Sequence, residues 1–386
     1  MPLSRAEFRS SALQPAPVCG CPTPSVVSGT VGCRLMKILQ VCPKYSPAHG
    51  GVEELVQNVS ERLVSKHEVT VFACDPSGGL PRQEEINGVL VRRFRSFSPG
   101  DAYHISLEMA SALKKSRFDV VHGHNFHALP VFFSRYASRG KLIVSPCYHG
   151  HGHTPFRDVL LRLYRPLGAK VFADADAVVA LSQYEKNLLA RDFSLSLQDV
   201  HVIPSGVNVA EFAELGSVQR EPQRILCVGR LEEYKGVQHV INALPLLHAG
   251  SHLDIVGSGP YKDRLVQLVA NLGLRDRVSF RQDLPREQLL MAYARSGVFV
   301  LASQYESFSM VVAEALTAGT PCIVANTSAL AEWVDGRNCF AIDNPANSTE
   351  LAGLIRQAPG TRVEGAKVLD WNEVTRRMAR LYEDQS

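Results

Sequence analysis

From Met36 onward, short and almost wholly apolar runs alternate with amphipathic stretches, and the alternation occurs in two successive series. A strand that is apolar throughout must be covered on both faces, and crossover helices between parallel strands supply that cover. The first series predicts strands at Ile38–Cys42, His67–Ala73, Val89–Phe94, Phe118–His122, Leu142–Pro146, Ala175–Leu181 and Val200–Ile203. Helices are expected between them at about Val52–Lys66, Ile105–Lys115 and Gln183–Ala190. After a connector at Pro204–Gln223 the rhythm resumes at Arg224–Gly229 and runs to Ala325. A chain of 386 residues also exceeds what one core usually holds. The expected fold is therefore α/β: two Rossmann-like, doubly wound domains facing each other across a cleft.

The remaining composition is permissive. A net charge of +3 does not argue for nucleic acid, and no run of 18 apolar residues marks a membrane span. Nine scattered cysteines, several beside apolar strands, fit buried thiols in a reducing compartment. Residues 1–35 are rich in Pro, Ser and Gly and lack periodicity. They read as a disordered extension or an upstream mis-set start, and are set apart from the fold.

The stretch Ala302–Asn326 reads as loop, helix, cap and strand. Ser307 or Ser309 is placed to N-cap a helix over Met310–Ala318, and Gly319 with Pro321 ends it. Two carboxylates interrupt this apolar background, Glu306 before the helix and Glu314 inside it. A lone buried glutamate needs a partner. The residues alone admit two: ligand hydroxyls about one diphosphate arm from a phosphate at the helix start, or an arginine at a domain interface.

Three glycine-bearing loops follow predicted strands. Gly50-Gly51 precedes a helix and on its own reads as a turn. Gly229–Gly236 carries Arg230 and Lys235, a diphosphate clamp in composition, or else a solvated loop paired with Glu232 and Glu233. Gly257-Ser-Gly-Pro260 lacks the third glycine of a dinucleotide fingerprint and is weak support for NAD. His122, His124 and His127 fall in one segment and His149, His151 and His153 in another. No cysteine or aspartate completes a zinc set, so cleft lining and acceptor contact is the preferred reading and no metal is expected. Finally, PFRDVLLRLYRPLGAKV at Pro155–Val171 is basic and amphipathic. It reads as a helix on the N-terminal sheet with a solvated basic face, or as one resting on an anionic membrane surface.

The ordered segments GG, EELVQNVSERL, DVVHGH, VSPCYHGHG, ADAVVALSQYEKNLL, VIPSGVN, VGRLEEYKG, LDIVGSGP and the E-x7-E pair Glu306/Glu314 resemble the retaining GT-B glycosyltransferases of family four. The resemblance runs from about Met36 to the C-terminus. It implies an acceptor-binding domain at 36–207, a nucleotide-sugar-binding domain at 222–368, and a last helix at 369–386 that crosses back, anchored by Trp371 and Tyr382. Under it Gly51, Gly229, Arg230 and Lys235 would hold the diphosphate. Glu306, Phe308, Ser309 and Met310 would contact sugar and phosphate, Glu314 the ribose, and His149 would stand beside the reacting sugar. Catalysis would fall to His149, Arg230, Lys235 and Glu306 without metal or other cofactor. The donor would be a UDP-, GDP- or ADP-sugar, and the acceptor a glycan or lipid-linked molecule at the cytoplasmic side of a membrane. Ser309 and the stretch after Thr327 stand where this family often has glycine, and so does Cys339. The resemblance also leaves room for a sugar-nucleotide epimerase of the same fold or a non-catalytic nucleotide- or glycan-binding relative.

Overall fold

The computed structural model describes residues 35–99, 103–137, 140–152, 155–358, 363, 365 and 368–384. The expectation for 1–35 thus concerns residues outside those described, Leu35 apart. In the first half the elements are β1 (Lys37–Val41), α1 (Gly51–Leu63), β2 (Glu68–Asp75), β3 (Gln83–Ile86), β4 (Val89–Arg95), α2 (Leu107–Lys115), β5 (Val120–His124), α3 (Leu129–Ser134), β6 (Lys141–Ser145), α4 (Pro155–Ala173), β7 (Ala177–Ala180), α5 (Gln183–Phe193) and β8 (Val200–Val202). They form one eight-stranded sheet in the order β3-β4-β2-β1-β5-β6-β7-β8, in which only the β3–β4 pairing is antiparallel.

The connector holds a two-residue strand, β9 (Gly206–Val207), and a 3-10 segment at Val209–Ser217. The second half runs β10 (Glu221–Val228), α6 (Val237–Ala243), β11 (His252–Val256), α7 (Lys262–Asn271), β12 (Val278–Arg281), α8 (Arg286–Arg295), β13 (Ser296–Leu301), α9 (Met310–Thr317), β14 (Cys322–Ala325), β15 (Cys339–Ile342) and α10 (Ser348–Gln357). Its six strands lie in the order β12-β11-β10-β13-β14-β15, all parallel. The chain closes with β16 (Leu369–Asp370), paired with β9, and α11 (Trp371–Glu383).

In both sheets the strand order reverses direction beside the first strand, between β1 and β5 and between β10 and β13. Loops leaving such neighbours diverge to opposite faces and open a crevice at the strand C-terminal ends, where ligands of this architecture bind. The connections after β1, β5, β10 and β13 lead to Gly51 at the start of α1, His127, Arg230 with Lys235, and Glu306.

Helix α11 packs across the first sheet. Trp371, Val374, Met378 and Tyr382 are buried in a cluster shared with Ile38, Val71 and Ile143, and that cluster continues to Phe308 and Ala313 of the second half. A buried polar network fixes the helix. The Tyr382 hydroxyl lies 2.7 Å from His122 Nδ1, Gln40 Nε2 donates to that hydroxyl at 3.2 Å, and Gln40 Oε1 lies 2.7 Å from His124 Nε2. His122 Nε2 meets Ser145 Oγ at 2.8 Å. Because Gln40 uses its amide nitrogen on the tyrosine, the tyrosine proton is directed to His122 Nδ1 and His124 donates to Gln40. Burial holds both imidazoles neutral, pushing His124 down to about 3.

This corrects the reading of His122 and His124 as cleft-lining: both point into strand β5's packed surroundings and hold α11. Replacing Tyr382 with phenylalanine strips His122 of its donor and Gln40 of its acceptor. At about 1–3 kcal/mol for each orphaned buried group, we expect a loss of roughly 2 kcal/mol or more, read as a lower thermal midpoint with unchanged circular dichroism.

Candidate active site

The loop after β10 positions the first cations. Gly229 has φ 145, in the region that favours glycine, and the Arg230 guanidinium beyond it is half exposed, 3.4 Å from Glu232. Lys235 turns inward, and its Nζ donates to Glu306 Oε1 at 2.6 Å. Burial pulls the ammonium down, but the Glu306 carboxylate outweighs it and leaves Lys235 above the ordinary lysine value. Lys235 therefore stays charged, with two of its three protons not spent on Glu306.

The other glycines of this region pack loop on loop. A Cβ at Gly257 would meet Gly229 O at 2.0 Å, and one at Gly236 would meet Ala302 O at 2.2 Å. The Gly257-Ser-Gly loop thus braces the Arg230 loop, with Leu231 N donating to Ser258 O at 2.8 Å. That is a structural use of the glycines and gives no support to a dinucleotide site.

Helix α9 begins at Met310, but Ser309 does not cap it as expected. Its backbone is left-handed at φ 85, which carries the side chain away from the amides of the first turn, and its Oγ is buried with no hydrogen-bond partner among the described residues. The amides of that first turn remain available to an anion. Ser328, in the stretch after Thr327, is also left-handed at φ 51, and its Oγ accepts from Glu306 N at 3.0 Å. Ser309 and Ser328 thus both hold a positive φ that glycine adopts more easily. Cys339 is a buried strand residue with no such constraint.

Glu314 is almost fully buried and already partnered. Arg286 Nη1 donates to its Oε1 and the Tyr293 hydroxyl to its Oε2 at 2.9 Å. Arg286 also reaches Glu211 at 2.8 Å. Of the two partners the sequence left open, the arginine is the one present. The two bonds leave lone pairs on both carboxylate oxygens.

Glu54 of α1 lies in the same cluster. Burial and then Glu314 push its carboxyl up to about 7 against the pull of Arg286. The folded state then binds this proton more tightly than the unfolded chain, so stability falls as pH rises from about 4.5 to about 7 and is flat on either side. Glu54→Gln is expected to remove that slope and to stabilise the protein above pH 7 by about 3 kcal/mol, checked by thermal midpoints across the window.

Between the two halves runs a ladder of rings. His127 stacks on His149 at 4.3 Å, His149 and His151 both stack on Tyr305 at 5.1 and 4.9 Å, and Tyr305 stacks on Tyr234 at 4.4 Å. The Lys235 ammonium lies 5.2 Å over Tyr234. The two tyrosines directly precede Glu306 and Lys235, so they wall the ion pair on one side. A second bridge is the Glu332 carboxylate, which accepts from the first amides of α5, Gln183 N at 3.1 Å and Tyr184 N at 2.5 Å. Across the interface a side chain at Gly51 would touch Met310 Sδ at 3.9 Å.

The structure thus brings Arg230, Lys235, Glu306, Phe308, Ser309 and Met310 onto adjoining loops of the second sheet, with Gly51 and His149 facing them from the first. Glu314 stands apart in its own arginine–tyrosine pocket. Sequence reasoning passed over Tyr234, Tyr305, Glu332 and Arg286. Only the adjacency of the tyrosines to Lys235 and Glu306 hinted at them. His153 lies outside the described residues. Among the described residues no group of three potential metal ligands comes together.

The comparisons bear on family and fold. Residues 49–211 match the model of Glycosyltransferase Family 4, and residues 211–360 that of the Glycosyl transferases group 1. An uncharacterised glycosyltransferase of Methanocaldococcus jannaschii is 30% identical over 78% of this chain and 83% of its own length. The GDP-mannose:cellobiosyl-diphosphopolyprenol alpha-mannosyltransferase of Xanthomonas oryzae is 28% identical over 74% of this chain and 77% of its own. Among solved structures, sucrose-phosphate synthase from Thermosynechococcus elongatus superposes with a TM-score of 0.73 at 19% identity, covering 90% of this chain and 98% of the other.

Proposed function

Because this chain belongs to the group 1 glycosyltransferases of family four, with the GT-B fold, we propose that it transfers a hexose from a nucleoside diphosphate sugar with retention of anomeric configuration and without a metal. The observation that carries the reading is the buried Lys235–Glu306 pair at the strand-order reversal of the second sheet, beside Arg230 and the uncapped start of α9. Two fixed cations and a helix N-terminus suit a diphosphate leaving group, whose developing charge they stabilise without reorganisation.

In this reading the diphosphate lies against Lys235, Arg230, Gly229 and the first amides of α9 at Ser309 and Met310, with Gly51 closing over it. Glu306 accepts from sugar hydroxyls while orienting Lys235, and Phe308 seats the loop. Glu314 adds the ribose hydroxyls to its existing partners. His149 borders the reacting sugar from the first half. The acceptor attacks from the face the leaving group departs, and a donor phosphate oxygen takes its proton. Glu306 is tied to Lys235 and is poorly placed to serve as a covalent nucleophile.

The X. oryzae relative's name specifies a GDP-mannose donor and a polyprenol-linked acceptor. That supports a glycan or lipid-linked acceptor here. The six described cysteines are unpaired and buried, which supports a reducing, cytoplasmic setting. No described helix is long and apolar enough to cross a membrane.

The test is a thermal-shift panel of UDP, GDP, ADP and their sugar conjugates with EDTA present. A ligand at 100 times its Kd stabilises by about 2.7 kcal/mol. One base should stabilise the wild type and fail with Lys235→Ala. Equal shifts in both proteins would move the donor site elsewhere.

A further inference from the structure

We propose that Glu185 of α5 is a positioning residue: it fixes the turn that carries His149 into the cleft, and turnover depends on it through His149. The consequence for turnover rests on the proposed place of His149 beside the reacting sugar, but the positioning itself does not.

Glu185 is fully buried at the third position of α5, and its amide donates to the N-cap Ser182 Oγ at 3.1 Å. In a capping box a glutamate at this position turns back to the N-cap amide, which is a wholly local bond. Here the side chain reaches further. One oxygen accepts from Leu181 N at 2.8 Å, and the other accepts from Tyr148 N at 2.5 Å, on the connection that follows β6. The carboxyl group thus ties the start of α5 to the residue directly before His149.

That connection bends sharply twice. Cys147 and Gly150, on either side of Tyr148-His149, are left-handed at φ 49 and φ 83. Such a backbone persists where its surroundings fix it. One face of α5 supplies those surroundings, through Glu185, Leu188 and Asp192 at intervals of three and four residues. A Cβ at Gly150 would meet Leu188 Cδ2 at 3.3 Å, and the Tyr148 hydroxyl donates to Asp192 Oδ2 at 2.8 Å. Arg165, paired with Asp192 at 3.2 Å, also donates to Gly150 O at 2.9 Å.

Tyr148 is wholly buried, and His149 is the residue this seat delivers to the cleft. Its ring stacks on His127 at 4.3 Å and on Tyr305 of the second half at 5.1 Å. The same helix takes the Glu332 carboxylate of the second half on the amides of Gln183 and Tyr184. α5 therefore carries both a contact that joins the two halves and the seat of the His149 turn. A slip of the Tyr148 amide is passed to the imidazole one residue on, and a misplacement of about 1 Å can cost about 100-fold in rate.

Glu185→Gln keeps the shape but turns one acceptor into a donor facing an amide. The probe is whichever glucose or mannose conjugate of UDP, GDP or ADP raises the wild-type thermal midpoint, with water as acceptor and release of the nucleoside diphosphate as the readout. In Glu185→Gln, kcat should fall about 10–100-fold with KM unchanged. In a His149→Ala background the same substitution should lower kcat no further. With ring-labelled histidine, the His149 signal, identified by its loss in His149→Ala, should move in Glu185→Gln, because the stacked rings shift it according to its place between them. Tyr148→Phe removes the bond to Asp192 and should give the same pattern at smaller size; it carries the test if Glu185→Gln does not fold. A His149 signal that stays in place, a kcat loss that multiplies with that of His149→Ala, or a lower midpoint with kcat and KM unchanged would overturn the proposal. Wild type that releases no diphosphate from any conjugate would sink the transferase reading instead, and the His149 signal would still decide whether Glu185 places that ring.

Discussion

Replacing Lys235 with alanine is expected to lower kcat/KM for the sugar nucleotide by about 10²–10³-fold, the scale of losing one preorganised charge-stabilising donor. Two effects are mixed in that variant. The ammonium that would face the leaving diphosphate is gone, and Glu306 loses its counter-ion in a site where both side chains are less than one-fifth exposed. Removing one partner of a buried pair commonly costs more than removing both. The double variant Lys235→Met with Glu306→Gln therefore separates them. Its thermal midpoint should recover most of what alanine loses, while its rate should stay at the alanine level or below. Recovery of rate along with stability would mean that Lys235 acts only through the fold.

Glu314→Ala carries the second large effect, and here stability leads. Arg286 loses the nearer of its two carboxylates, and the hydroxyl of the fully buried Tyr293 loses its acceptor. Arg286 is 39% exposed and keeps Glu211, so most of the loss is the orphaned Tyr293 hydroxyl, about 1–3 kcal/mol. Glu314→Gln retains an acceptor and the shape, and should cost less than half of that. Arg286→Met is the informative converse. It leaves Glu54, Glu211 and Glu314 without the cation that moderates them, so its midpoint should fall most above pH 7 and recover on acidification as Glu54 takes its proton. A uniform loss across pH would mean that the cluster is held by packing alone.

How much of this was legible beforehand follows from which interactions are local. Strand–helix alternation is a local pattern, so the two doubly wound sheets could be read from apolar runs, with element ends displaced by a few residues. Strand β3 escaped because QEEI has no apolar alternation and its residues stay partly exposed on an antiparallel edge. Helix α3 escaped because LPVFFS is too short to show a helical period. The His122–Gln40–Tyr382 network joins positions up to 342 residues apart, and no spacing rule reaches that far. The same holds for the ring ladder. Tyr305 and the histidines it stacks on belong to different halves, and only the closed arrangement of the two sheets brings them together. For Glu314 the need for a partner was legible from burial alone. The choice of Arg286 was not, because that residue reads as an ordinary first-turn arginine of α8. Ser309 misled for a related reason: serine before a helix suggests a cap, and only the backbone dihedral shows that its hydroxyl is turned away.

The most direct measurement is turnover of the donor identified by the thermal-shift panel, followed by proton NMR with EDTA present. The account predicts release of the nucleoside diphosphate together with a glycosidic product whose anomeric coupling matches that of the donor, and no release by Lys235→Ala at the same enzyme concentration. An altered sugar nucleotide with no diphosphate released, or a product of inverted anomeric configuration, would contradict it.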